Sequence, residues 1–164
     1  MAIVLRNGRV LAGEVFRDDV AVVLEGGHVA DVLPAGDPRL AGLPVRDLEG
    51  GWLMPGFIDI QVNGGGGVLF NNQPTADGLA IIARAHRRFG TTGLLPTLIS
   101  DTPEKMALAV AAVRQAIADG VPGILGIHLE GPYINPVRKG THDGHMLRLP
   151  DTREIEVDTS LGNG

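Results

Sequence analysis

Between Gly56 and Glu130 the chain alternates strand-like and helix-like segments, and this alternation limits the architecture more than any other feature. Gly56 to Asn63 predicts a strand, with Asp59, Gln61 and Asn63 on one face because strand side chains alternate. Thr75 to Phe89 predicts a helix: Leu79, Ile82, His86 and Phe89 recur at helical spacing, and Gly90 is a suitable stop. Thr92 to Leu98 predicts a second strand. Its ladder is expected to end near Pro96, which has no amide to donate. Thr102-Pro103-Glu104 combines a cap, a first-turn proline and a first-turn acid, and so opens a second helix. Met106, Val110, Val113 and Ile117 form its apolar stripe, and Gly120 closes it. Ile124 to Leu129 predicts a third strand. Strand, helix, strand, helix, strand with short connections implies a parallel sheet built from right-handed crossovers.

The third strand runs into Glu130, where Gly131-Pro132 breaks regular pairing. A carboxylate at the C-terminal tip of a parallel strand lies where α/β folds gather ligands. The loop beyond carries Arg138, Lys139, Gly140, Thr141 and His142. Arg138 and Lys139 suit either a sugar phosphate or open solvent. Gly64 to Gly67 suit either a backbone phosphate cradle or a tight strand-to-helix loop. His128 shares a face with Glu130 and is expected to be a hydrogen-bonded structural residue. His86 is expected to face the core with its ring satisfied, and Asp59 to bond within the sheet.

Residues 1–54 predict short strands instead. Asn7-Gly8 is a hairpin signal between Ile3–Leu5 and Val10-Leu11. Val20 to Leu24 and Val29 to Leu33 flank Gly26-Gly27 as a second hairpin, and Val45–Leu48 with Trp52–Met54 suggest a third pair around Gly50-Gly51. Asp151 to Val157 suggests a last helix. Three strands leave an apolar edge open, so the chain is read as truncated, with no closing element before Gly164.

Composition narrows the function classes. A net charge of -5 among 164 residues offers no footprint for nucleic acid or an acidic membrane. With no cysteine, disulfides and thiolate metal sites are excluded. No apolar run approaches the roughly 18 residues of a membrane span, and the start lacks a secretory leader. A cytoplasmic protein is expected.

Met54-Pro55-Gly56-Phe57-Ile58-Asp59, Gly90-Thr91-Thr92-Gly93 with Pro96-Thr97, and His128-Leu129-Glu130-Gly131-Pro132 resemble segments of the amidohydrolase superfamily. With Lys139-Gly140-Thr141-His142, the last resembles the N-acetylglucosamine-6-phosphate deacetylases. The resemblance implies an α/β fold: residues 1–54 as strands of a small β-sandwich, and residues 55–164 as the first three units of a (β/α)8 TIM-type barrel. It implies hydrolysis of the acetamide of N-acetylglucosamine 6-phosphate to glucosamine 6-phosphate and acetate. It also implies one divalent metal ion, with zinc expected, bound by Glu130, and further ligands and a base outside residues 1–164. His142 is implied as the catalytic group facing the developing oxyanion, and Thr141 and His142 as sugar contacts. Where many amidohydrolases carry His-x-His, this chain has Gln61-Val62-Asn63. Neutral amides are poor zinc ligands, so Gln61 and Asn63 are expected to orient Glu130 or a metal-bound water. The expected partners are a phosphorylated amino sugar and, in the full-length protein, a second copy in a homodimer. Two other readings stand beside this one: an inactive fragment lacking the later ligands, and an amidohydrolase acting on another amide.

Overall fold

The structure is a computed structural model that describes residues 1–162. It resolves into two compact units, Met1–Pro55 and a second beginning at Gly56.

The first unit contains β1 (Ile3–Arg6), β2 (Arg9–Ala12), β3 (Val15–Arg17), β4 (Val20–Glu25), β5 (His28–Pro34), β6 (Val45–Asp47) and β7 (Trp52–Leu53). They form a four-stranded sheet in the order β5-β4-β1-β6 and a three-stranded sheet in the order β3-β2-β7. The β4–β5 hairpin forms as predicted, with Glu25 opposite His28 across Gly26-Gly27.

The other two predicted pairs do not form, because β1 and β2 lie in different sheets, as do β6 and β7. Asn7-Gly8 is a corner that hands the chain from one sheet to the other. Asn7 takes φ 61°, and Glu49 and Gly50 make a matching corner at φ 52° and 77°. β6 runs parallel to β1, and β7 parallel to β2. The two corners are bonded together: the Gly50 amide donates to the Asn7 carbonyl at 2.7 Å, and the Asn7 side chain donates to Asp47 at 2.6 Å. Leu5, Val20 and Val22 from one sheet and Val10 from the other share a small core, against which Leu48 and Leu53 pack. Burial of each such side chain is worth about 1.5–3 kcal/mol.

The second unit contains β8 (Phe57–Val62), β9 (Gly64–Gly65), β10 (Val68–Leu69), α1 (Ala76–Arg87), β11 (Thr91–Ile99), α2 (Pro103–Ala118), β12 (His128–Glu130) and α3 (Thr152–Asp158). β8, β11 and β12 form a parallel sheet in the order β12-β11-β8. Thr75 and Thr102 cap α1 and α2, their side-chain oxygens accepting from the amides of Gly78 and Lys105. Leu79 and Ile82 of α1, Met106 and Val113 of α2, and Val62, Leu94 and Leu98 of the sheet close the core between helices and sheet.

Three expectations are corrected here. β11 does not end at Pro96 but continues to Ile99. The register with β8 shifts between Leu94 and Pro96, and the Thr97 hydroxyl accepts the Val62 amide at 2.8 Å, supplying an acceptor from a side chain. The third strand is shorter than Ile124–Leu129: β12 starts at His128, and Ile124 contributes only an isolated bridge to Leu94. Phe89 is not part of the apolar stripe of α1. The helix stops at Arg87, and Phe89 turns out with 76% of its surface exposed.

Gly64 and Gly65 are β9 itself, and Gly66 and Gly67, at φ 62° and 85°, make the tight turn into β10. No helix among the described residues is long and apolar enough to cross a membrane.

Candidate active site

The parallel register sets Ile99 of β11 beside Glu130, so the carboxylate stands at the last paired position of β12. From β8, across β11, the Gln61 side-chain amide donates to Glu130 Oε2 at 2.9 Å. From the loop after β12, His142 Nε2 lies 3.4 Å from Glu130 Oε1. Two segments, one 69 residues and one 12 residues away in sequence, thus converge on one carboxylate.

His142 is only 5% exposed although it lies on a loop. Its amide donates to the Lys139 carbonyl, while the Lys139 ammonium donates back to the His142 carbonyl at 2.9 Å. Asn135 and Asp143 cap the short 3-10 turns Pro136–Arg138 and Gly144–Met146 on either side. On the other edge of the ring, Nδ1 lies 2.8 Å from the Ser100 hydroxyl and 3.3 Å from the Ser100 amide nitrogen.

Burial pushes the Glu130 carboxyl upward, but hydrogen bonds from Gln61 and His142, with a weaker contribution from Asn63, outweigh it and hold it below the ordinary glutamate range. Its side chain keeps 32% of its surface. The group is therefore an accessible, ionised carboxylate with oriented donors around it. Among the described residues no set of three or more histidine, cysteine, aspartate or glutamate side chains is grouped to hold a metal ion.

The remaining candidates fall as follows. Thr141 is exposed beside His142, and Arg138 is exposed on the preceding turn. Asp59 accepts the Gln61 amide at 3.1 Å, a bond within β8 that steadies the residue reaching Glu130. His128 Nδ1 donates to the Ile60 carbonyl at 2.7 Å, and His86 Nε2 donates to the Gly64 carbonyl at 2.9 Å. Both are bonded to backbone, and neither bonds Glu130. Ser100 was not singled out from sequence. Its only signal is position: a hydroxyl immediately past the apolar run of β11.

Comparison with protein-family models finds no match. Among curated proteins, the chain is 49% identical over 114 residues to an N-acetylgalactosamine-6-phosphate deacetylase of Shewanella sp. (strain ANA-3), covering 70% of this chain and 29% of that protein. It is 36% identical over 130 residues to the N-acetylglucosamine-6-phosphate deacetylase of Haemophilus influenzae, covering 79% of this chain and 34% of the relative. Among solved structures, N-acetylglucosamine-6-phosphate deacetylase from Pasteurella multocida superposes with a TM-score of 0.92 at 30% identity, covering 99% of this chain and 43% of that one. The chain thus spans about a third of the length of the curated relatives it matches. These likenesses assign it to the amidohydrolase superfamily. Within that superfamily it belongs to the N-acetylglucosamine-6-phosphate deacetylase family, corresponding to the family's N-terminal portion.

Proposed function

We propose that the protein containing this chain is a metal-dependent deacetylase that hydrolyses the acetamide of an N-acetylhexosamine 6-phosphate, N-acetylglucosamine 6-phosphate first among them, releasing acetate. The observation that carries this reading is Glu130 at a strand tip, ionised, held by Gln61 and faced by His142. In the same reading β8–α1–β11–α2–β12 begins a (β/α)8 barrel, and residues 1–54 belong to a small β-sandwich.

The donor chemistry at Glu130 fits one ligand of a divalent cation. Gln61 occupies Oε2 alone, and Oε1 meets only the long contact with His142. Such sites use three or more ligands, so the others would come from outside the described residues. When bound, a divalent ion supplies Lewis acidity that activates water and polarises the acetyl carbonyl. The residues of this chain do the rest of what is visible. Gln61 holds the carboxylate in one orientation. His142 Nε2–H is a donor suited to charge developing on the acetyl oxygen, a kind of contact worth about 3–4 kcal/mol of barrier. Thr141, exposed beside it, is positioned to meet the sugar.

The likeness to an N-acetylgalactosamine-6-phosphate deacetylase at 49% identity favours a second reading in which the galacto epimer is preferred. The test is acetate release by the full-length protein, loaded with zinc, from both phosphorylated sugars. Release from either supports deacetylation, and the ratio of kcat/KM chooses the epimer. No release from either, with Glu130 intact, sinks the proposal. Glu130→Gln is expected to abolish turnover and to strip metal from the purified protein; full metal occupancy in that variant would refute the ligand assignment.

A further inference from the structure

We propose that Ser100 is a positioning residue that sets the tautomer of His142, leaving the ring's Nε2–H aimed at Glu130 and the space beside it. The inference deepens the deacetylase reading, on which its kinetic consequence rests; the tautomer itself is a separate fact.

The Ser100 amide shows which way the contact runs, and the hydroxyl, the shorter of the two, is what the side chain adds to it. A backbone N–H can only donate, and it lies 3.3 Å from His142 Nδ1. Nδ1 must therefore present its lone pair, and the ring proton of the neutral imidazole goes to Nε2. The Ser100 hydroxyl, 2.8 Å from the same nitrogen, then donates as well, because a ring nitrogen without hydrogen offers nothing to accept. Nε2 in turn faces Glu130 Oε1, a group that only accepts, at 3.4 Å. Donor and acceptor roles thus agree along the whole path from Ser100 through the ring to Glu130, and the opposite tautomer would set two N–H groups against each other at Nδ1.

The surroundings maintain this arrangement. Ser100 is 6% exposed and His142 5%, so water does not compete for Nδ1. Gly131 leaves the room the hydroxyl needs: a Cβ there would fall 2.2 Å from Ser100 Oγ, and its φ of +88° suits glycine. The same glycine directly follows Glu130, so the backbone that carries the carboxylate also shapes the seat of the serine. Asn71 fastens the end of β11 from outside, its side chain accepting the Ile99 amide and donating to the Ile99 carbonyl, both at 3.1 Å.

The experiment uses the full-length protein with nitrogen-15 in its histidine rings. The expected spectrum shows His142 with a protonated Nε2 and a bare Nδ1; a protonated Nδ1 overturns the proposal. Ser100→Ala is expected to shift the Nδ1 resonance and to lower kcat by about ten-fold or more, with KM and bound metal little changed. Ser100→Thr, which keeps the hydroxyl, is expected to recover most of the rate. Unchanged ring resonances and unchanged kcat in Ser100→Ala refute the role. If Ser100→Ala fails to fold, the wild-type spectrum alone still decides. If the protein releases no acetate from any sugar, the deacetylase reading falls while the ring spectrum continues to test the tautomer.

Discussion

Asp101 shows how a single side chain ties the end of β11 to its neighbours. Burial pushes its carboxyl up, but the Asn71 amide, the Thr102 backbone N–H and Lys105 outweigh this and leave it below the ordinary aspartate range. A depressed acid stabilises the fold above its unfolded pKa of roughly 3.9, and that contribution disappears as pH falls through the lower folded value. Asp101→Ala is therefore expected to cost about 2 kcal/mol at neutral pH, a gap to wild type that narrows in acid. Urea denaturation at a series of pH values measures it, and a gap independent of pH would contradict the assignment. At this scale Glu130 was legible from sequence because Gly131-Pro132 stops the strand immediately after it. The seat of His142 was not legible. Burial of a loop histidine against Ser100 depends on a contact across 42 residues, which no local pattern encodes.

At the scale of elements, the two long helices follow their local signals closely. Thr102, Pro103 and Glu104 mark the start of α2 and the structure begins it there, with the Thr102 hydroxyl accepting from Lys105 N at 3.3 Å. Thr102→Ala is expected to destabilise the second unit by about 1 kcal/mol, visible as a lower midpoint in a thermal melt followed by helical circular dichroism. The strands are less obedient to local rules. Pro96 reads as an end, yet β11 passes through it, because the register slips there and Thr97 lends its hydroxyl to the Val62 amide. The short β12 reflects the same dependence on neighbours. Ile124 to Ile127 are apolar enough for a strand, but only His128 to Glu130 find continuous pairing on β11.

At the scale of the whole molecule, the two units raise different problems. The first is held by paired corners, and Gly8 is pressed against one of them: a Cβ there would lie 2.6 Å from the Gly51 carbonyl and 2.8 Å from Leu48. Gly8→Ala is expected to destabilise this unit by about 1–3 kcal/mol. The chain's single tryptophan, Trp52, lies in the same unit against Phe16, so its fluorescence reports the transition. An unshifted fluorescence midpoint would show that the corner relaxes freely. What the residues decide alone is the kind of element each segment forms, together with the alternation that makes a parallel sheet, since caps, periodicity and proline act within a few positions. Which strands become partners, that Asn7-Gly8 is a corner and not a hairpin, and that Gln61, Ser100 and His142 meet around Glu130 were settled only by tertiary structure. Those outcomes depend on hydrogen-bond partners and excluded volume supplied from tens of residues away.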